Sequence, residues 1–429
     1  MARPSRPPAV KPLPRPLAAG PVGRGASPPS GSGVHRTLQV SRATARFIED
    51  GHPWVRPDRF TRGLGQFAAG DVATLVTEQG ERIASAVVDP EGAVCARVFH
   101  RRADMAFDPV AALARAVAKR AALFADPETD CFRVVHGEGD HLPGLRVERY
   151  ADVFVVVVFA DAAMRAAKAV CAAILAPDGP VAAFVYAPTV VLRDHRDDLR
   201  REEVRSARFG SGPPLDPEGV VMGRELGVRY PLRPFDGLAT GLYVDQRETR
   251  RWLRSLAPGR RVLNLFAYTG AFSVSMLVAG AAHAVDVDLA RPALARAEEA
   301  AVMNGVADRH AAIKADCGAW LGTARDAFDL IIVDPPTAAM GGEGWVLRRD
   351  YPGVLAKAFA RLAPGGLLVA CCNTLNGKPY PLDEVMRDAA TAAGRGGARS
   401  VEVPKLGEDL PQLRGFPEGR PYRLVAVSS

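Results

Sequence analysis

Apolar and polar positions change rhythm several times along this chain. Over residues 1–34 there is almost no apolar pattern, because nine prolines, with glycines and serines between them, interrupt every run. Such a segment cannot bury enough surface to offset its ordering entropy, and it reads as a disordered, partly polyproline-II arm. From Thr37 to about Arg102 short runs predict strands at Val72–Val76, Ile83–Val88 and Ala93–Phe99, with turns at Gly70-Asp71 and Gln79-Gly80. Several short strands in so short a span predict a small β-barrel or compact β-module.

Next, Pro109–Phe124 carries apolar residues at helical spacing with Arg and Lys on the other face. Strands are predicted at Phe132–Val135, Leu145–Val147, Val153–Phe159 and Ala183–Tyr186, with a helix at Ala162–Leu175. This makes a central α+β module. Residues 193–205 hold five arginines and five acids, the pattern of a solvated, salt-bridged face. Gly219–Tyr230 reads as a hairpin. From Arg260 strands and helices alternate. Strands are predicted at Arg261–Phe266, His283–Asp288, Ala311–Ala315, Phe328–Val333 and Leu367–Cys371, with helices from Gly270, over Pro292–Asn304 and over Tyr351–Leu362. That alternation predicts a parallel, doubly wound, Rossmann-like sheet, whose ligands bind beyond the carboxyl ends of the strands. The expected organisation is an arm (1–34), a small β-barrel (37–102), a central α+β domain (103–225) and an α/β Rossmann-like domain (226–429).

Composition excludes more than it proves. The 429 residues are 48% hydrophobic and 24% charged, average for a globular protein. Six cysteines are too few for a stapled secreted fold, and none forms a CxxC pair. No apolar run approaches the ~18 residues of a membrane span, and the N-terminus has no signal-peptide core. A reduced, cytoplasmic protein is expected, with no membrane contact. The eight histidines show no ligand spacing, so no metal is expected. The net charge of +7 has a local origin. The first 48 residues hold eight basic side chains and no acid, so the remainder is close to neutral. Such a basic tail suits nucleic-acid contact and a solubilising arm equally.

The chemistry lies at the predicted strand ends. The first strand of the last region ends in Asn264-Leu265-Phe266-Ala267-Tyr268-Thr269-Gly270, the second in Asp288, the third in Asp316, the fourth in Asp334-Pro335-Pro336 and the fifth in Cys371-Cys372-Asn373. Five successive strands delivering polar groups to one edge define a site. Gly270 lets backbone approach a ligand, and the helix after it offers N–H groups to an anion such as a carboxylate. Asp288 suits the two hydroxyls of a ribose, and Asp316 suits an adenine amino group. The GxGxxG fingerprint of dinucleotide sites is missing, which favours S-adenosylmethionine over NAD.

These segments carry a resemblance. Asn264–Gly270, Val287-Asp288, Phe328–Pro336, Ala363–Leu368 and Asp236–Arg250 look like the bacterial 23S rRNA methyltransferases whose catalytic domain follows a PUA domain. Gly51–Val55 resembles the opening of that PUA domain, and His136–Gly144 with Leu145–Val147 resembles the start of the central domain. The resemblance spans residue 37 to the end. It implies a Rossmann-like catalytic domain, S-adenosylmethionine as donor and ribosomal RNA as acceptor. It also implies cofactor contacts from Gln246, Asn264, Phe266, Tyr268, Thr269, Gly270, Asp288, Asp316 and Asp334. Arg247 and Arg250, beside Gln246, would then lie over the cofactor or the RNA entry, and Trp54 is a candidate RNA contact for which packing within the barrel is the stronger reading. A homodimer is compatible with all of this.

The acceptor expected first is cytosine C5 of 23S rRNA, through a covalent cysteine adduct, and guanine N-methylation without a cysteine nucleophile is the alternative. For cytosine C5 a thiolate must add to C6, and Cys372 aligns best with the Ser-Cys-Ser segment of the cytosine-C5 members. Cysteines ending a buried strand would look the same. Thr337 after Asp334-Pro335-Pro336 departs from the cytosine-C5 members, and Asn373 after Cys372 looks like the strand-five turn of guanine-modifying relatives, which usually add an aromatic residue to stack on the base where this chain has Thr337. For guanine, Asp334 would accept a hydrogen bond from the target nitrogen. A non-catalytic RNA-binding assembly factor that retains the fold is a further alternative.

Overall fold

Residues 36–196, 208–211, 219–234, 240–337, 344–373 and 380–428 are described in this computed structural model. The arm 1–34 and residues 197–207 of the charged segment lie outside them. Near the N-terminus, strands Thr37–Gln39, Val72–Val76, Arg82–Val88, Ala96–His100 and Trp54–Val55 form one five-stranded sheet. Together with the helix Arg42–Glu49 it encloses a core that includes Leu38, Ile48, Leu75 and Val98.

The central region opens with a helix, Pro109–Lys119, whose start is set locally. The Asp108 side chain accepts from the N–H groups of Val110 and Ala111, with proline at the first helical position. Its sheet contains Cys131–His136, Leu145–Tyr150, Val153–Val158, Thr189–Asp194 and Arg208–Ser211 side by side. The expected strand at Ala183–Tyr186 is a turn instead. Phe184 and Val185 donate back to the Val181 carbonyl, Val181 and Val185 fill the helix-covered core, and Phe184 stacks on Phe124 at 4.8 Å. The strand comes later, at Thr189–Asp194, where it can pair in parallel with Val153–Val158. Arg193 and Asp194 are therefore buried strand residues, a correction to the solvated face expected over 193–205. The hairpin Val221–Glu225 and Val228–Leu232 turns at Leu226-Gly227, both with positive φ. It straddles the 225/226 boundary drawn from sequence.

The C-terminal sheet has seven strands: β1 (Arg261–Leu265), β2 (His283–Asp288), β3 (His310–Lys314), β4 (Phe328–Val333), β5 (Leu362–Cys372), β6 (Arg399–Val401) and β7 (Arg423–Ser428). Their order is β3-β2-β1-β4-β5-β7-β6. The first five in that order are parallel, β7 runs antiparallel to β5, and β6 pairs antiparallel with β7. The helices are α1 (Arg247–Leu256), α2 (Ala271–Val278), α3 (Arg291–Met303), α4 (Cys317–Thr323), α5 (Leu347–Ala360) and α6 (Leu382–Ala392). One face of the central sheet is not solvent-facing. Val153, Val155 and Val157 join Val262, Val274 and Ile332 in a single hydrophobic core, so the central and C-terminal sheets hold each other.

Candidate active site

Beyond Leu265 the chain makes an unusual loop. Phe266 (φ 58°), Tyr268 (φ 52°) and Gly270 (φ 66°) alternate into the left-handed region. For the two aromatic residues this costs on the order of 1–2 kcal/mol each, and four bonds hold it. The Phe266 N–H donates to the Cys317 sulfur at 3.3 Å and that of Tyr268 to Asp288 Oδ2 at 2.9 Å. The Ala267 N–H donates to the Val287 carbonyl at 3.2 Å, and the Thr269 hydroxyl to that of Gly241 at 2.6 Å. Gly270 is obligatory by space as well as by φ. A Cβ there would sit 2.3 Å from Asp286 Oδ2 and 2.6 Å from Ala297 Cβ.

A cavity of about 480 Å³ opens over this loop at the C-terminal ends of the parallel strands. Of the residues expected at the site, Gln246, Phe266, Tyr268, Thr269, Asp288, Asp316 and Asp334 line it together. Asp288 stands at the end of β2, taking the Tyr268 and Ala290 N–H groups on opposite oxygens. Asp316 caps α4 through Oδ1, which accepts from Ala319, and stays exposed toward the cavity.

Five expectations need correcting. Asn264 does not reach the cavity. Its amide donates to Asp286 Oδ1 at 2.9 Å, and Asp286 also takes the Ser273 hydroxyl and faces His310 Nε2 at 2.8 Å. Asn264 thus anchors the buried layer under the loop. Arg250 reaches the cavity wall, but its guanidinium pairs with both oxygens of buried Glu225, at 2.6 and 2.7 Å, and with the Tyr243 carbonyl. Arg247 grips both oxygens of Asp409 at 2.8 and 2.7 Å. Both arginines are buried and unavailable to RNA; α1 uses them to tie distant segments together. Trp54 donates its indole N–H to Glu138 at 2.8 Å and packs edge-on against Phe416 at 4.9 Å, joining the N-terminal sheet to the rest of the chain.

The fifth concerns Cys372. It is 1% exposed, sits in an apolar cluster with Tyr380, Leu382 and Met386, and does not line the cavity. Strand alternation turns its neighbour, Cys371, to the opposite face, within reach of Gln246, and burial pushes that thiol well above the usual range. The cavity's own thiol, Cys317, is pushed up to about 12, chiefly by burial. Asp334 behaves oppositely to a free carboxylate. Burial, and then the neighbouring Asp245, raise it from 3.8 to about 7, partly opposed by Arg250.

Two wall residues carried no sequence signal, Trp345 just before α5 and Tyr422 just before β7, and a third, Asp245, lies in the Asp236–Arg250 segment but was not among the expected site residues. The Trp345 indole N–H donates to the Pro336 carbonyl at 2.7 Å and its ring lies 4.7 Å from Phe266. It provides the aromatic wall that Thr337 cannot.

This wall suits S-adenosylmethionine. Four carboxyl groups line it (Asp245, Asp288, Asp316 and Asp334), while its one arginine is already paired. Gln246 is buried, and its Oε1 accepts no hydrogen bond among the described residues, so it can take a donor such as an ammonium group. A sulfonium with an ammonium group meets these demands, and a pyrophosphate would be repelled. Fold and site define a class I S-adenosylmethionine-dependent methyltransferase. Residues 133–399 match the S-adenosylmethionine-dependent methyltransferase family and residues 38–101 match the PUA-like domain; the chain belongs to that methyltransferase family. It is 32% identical to "Ribosomal RNA large subunit methyltransferase" of Deinococcus radiodurans, covering 86% of this chain and 92% of that one. It is 30% identical to "Ribosomal RNA large subunit methyltransferase I" of Aeromonas hydrophila, covering 86% and 93%. A solved methyltransferase complexed with SAH shares the fold at TM-score 0.77, with 20% identity, over 92% of this chain and all of the other. A SAM-dependent methyltransferase from Streptococcus mutans does so at 0.76, with the same identity and coverage.

Proposed function

We propose that this chain methylates a base of large-subunit ribosomal RNA, 23S rRNA of the bacterial cytoplasm, and that the acceptor is a guanine nitrogen. The acceptor polymer is supported by the printed names of the relatives and by the PUA-like domain. The observation carrying the acceptor atom is the pairing of a cavity-lining Asp334, poised near neutral pH, with strand-end thiols that are sealed from the cavity.

In this reading Asp288 holds the ribose hydroxyls, Asp316 the adenine amino group, Gln246 the ammonium, and the Phe266–Gly270 loop wraps the donor. Bound S-adenosylmethionine supplies an activated methyl group whose sulfonium leaving group needs no protonation. The target base leaves its stack to enter the cavity and packs beside Trp345. Ionised Asp334 and the Pro335 carbonyl accept from the nitrogen, aim its lone pair at the methyl carbon, and take up the proton it sheds.

A second reading rests on position. Cys372 directly precedes the cavity-lining Asn373, where the cytosine-C5 relatives have their nucleophile. There the thiolate would add to C6, C5 would take the methyl group, and a base would remove the C5 proton before the thiolate leaves.

One experiment separates them. The enzyme is incubated with labelled S-adenosylmethionine and unmodified large-subunit rRNA, and the digested nucleosides are identified by mass spectrometry. Methylated guanosine, also formed by Cys372→Ala, is the expected result. 5-Methylcytidine that disappears in Cys372→Ala would establish the covalent route instead, and label in protein but not RNA would remove the RNA reading.

A further inference from the structure

The sheet of the central domain has a second use for the face that carries its valines. Register places His136, Arg146, Val157 and Arg193 in one row across four neighbouring strands. Three guanidiniums crowd one buried carboxylate in this region. Arg133 reaches Glu148 at 2.9 Å, Arg146 lies 3.5 Å from it, and Arg193 acts on it electrostatically. Even with Asp245, which also pairs with Arg133, two carboxylates face three guanidiniums, so the face retains positive charge. Arg146 is the cation of the three that reaches solvent, its side chain being 32% exposed while its Nε is buried beside Glu148.

Beside it lies Phe159, two residues past Val157 and 42% exposed. The Arg146 guanidinium covers one side of that ring at 5.0 Å, and His195 meets it edge-on at 5.9 Å. This face runs to the cavity. Arg133 also approaches Asp245 of the cavity wall at 3.5 Å. Tyr243, which is 54% exposed on the cavity rim, sets its ring 5.5 Å from Tyr268. Exposed aromatic rings interleaved with guanidiniums are the chemistry of single-stranded nucleic acid, in which bases stack on rings and phosphates meet cations.

We propose that Phe159 and Arg146 form a docking platform for the single-stranded RNA beside the target nucleotide, with one base stacked on Phe159 and its phosphate on Arg146. The proposal rests on the RNA reading above. It assigns the positioning of the strand to the central domain, separately from the PUA-like domain.

The test measures binding of a mixed-sequence 12-nucleotide RNA and of unmodified large-subunit rRNA by fluorescence anisotropy over a salt series, with S-adenosylmethionine affinity followed by calorimetry. Phe159→Ala weakens binding of the oligonucleotide about 5- to 100-fold, the range for loss of one base–aromatic stack, while Phe159→Tyr restores it. Arg146→Ala lowers the salt slope by about 0.7, as for one phosphate contact on a single strand. Donor affinity stays at the wild-type value in all three, which also certifies folding. If the wild-type enzyme binds and methylates RNA but the alanine variants bind the oligonucleotide equally well, the platform is wrong and the function stands. If the wild type binds neither RNA, both fall.

Discussion

Asp334 offers the sharpest test, because its ionisation links stability to chemistry. Its carboxyl is raised from 3.8 to about 7 by burial and by Asp245. The folded protein therefore holds this proton more tightly than the unfolded chain does. Below about pH 4 both states are protonated and the group contributes nothing. Between pH 4 and 7 the unfolded chain releases the proton while the folded chain keeps it, so stability falls as pH rises, and above pH 7 the loss is complete. A shift of about three units corresponds to about 4 kcal/mol. That figure is an upper bound, since the carboxyl still borders the open cavity. Asp334→Asn removes the charge and keeps the shape. Urea unfolding of both proteins without donor, at pH 4.5 and pH 8, should show the variant gaining on the wild type by roughly 2–4 kcal/mol between the two pH values. A difference that stays flat would refute the assignment of a buried, uncompensated carboxyl. The same variant should lose methyl transfer, and wild-type kcat should rise through a limb near pH 7 if the ionised form accepts the proton.

Asp288→Ala removes the acceptor of two backbone N–H groups and the proposed ribose contact. Donor affinity should drop roughly 10- to 100-fold, by the ~1.5–3 kcal/mol of charged hydrogen bonds, as read by calorimetry. Gly270→Ala drives a methyl group into Asp286 at a left-handed φ; unfolding should reveal a loss of at least about 2 kcal/mol, with weaker donor binding. Arg250→Ala leaves Glu225 charged and buried without its partner, which should cost about 3–5 kcal/mol of stability in a urea melt. The double variant Arg250→Met with Glu225→Leu should recover much of it.

Much of the catalytic region was legible from periodicity and strand ends. β2 and β4 run over the same residues that sequence patterning predicts, and Asp288, Asp316 and Asp334 meet at one cavity. The physical reason is that a parallel sheet imposes direction: once alternation with helices is recognised, every strand's carboxyl end must lie on the same edge. The antiparallel β6 and β7 were not read, because Arg399–Val401 is too short to show a rhythm and β7 gains its identity only by pairing with β5.

Residue type and spacing thus determined that acids would assemble around an adenosine-bearing donor. Which polar side chains are spent on the protein itself was decided by tertiary structure alone. Arg247 and Arg250 read as RNA contacts until Asp409 and Glu225, 162 and 25 residues away, occupy them. Asn264 reads as a ligand until Asp286 claims its amide, and Cys372 as a nucleophile until strand alternation turns it into the core. A side chain's partner is a matter of distance in space, and local sequence carries no record of what the rest of the chain brings beside it.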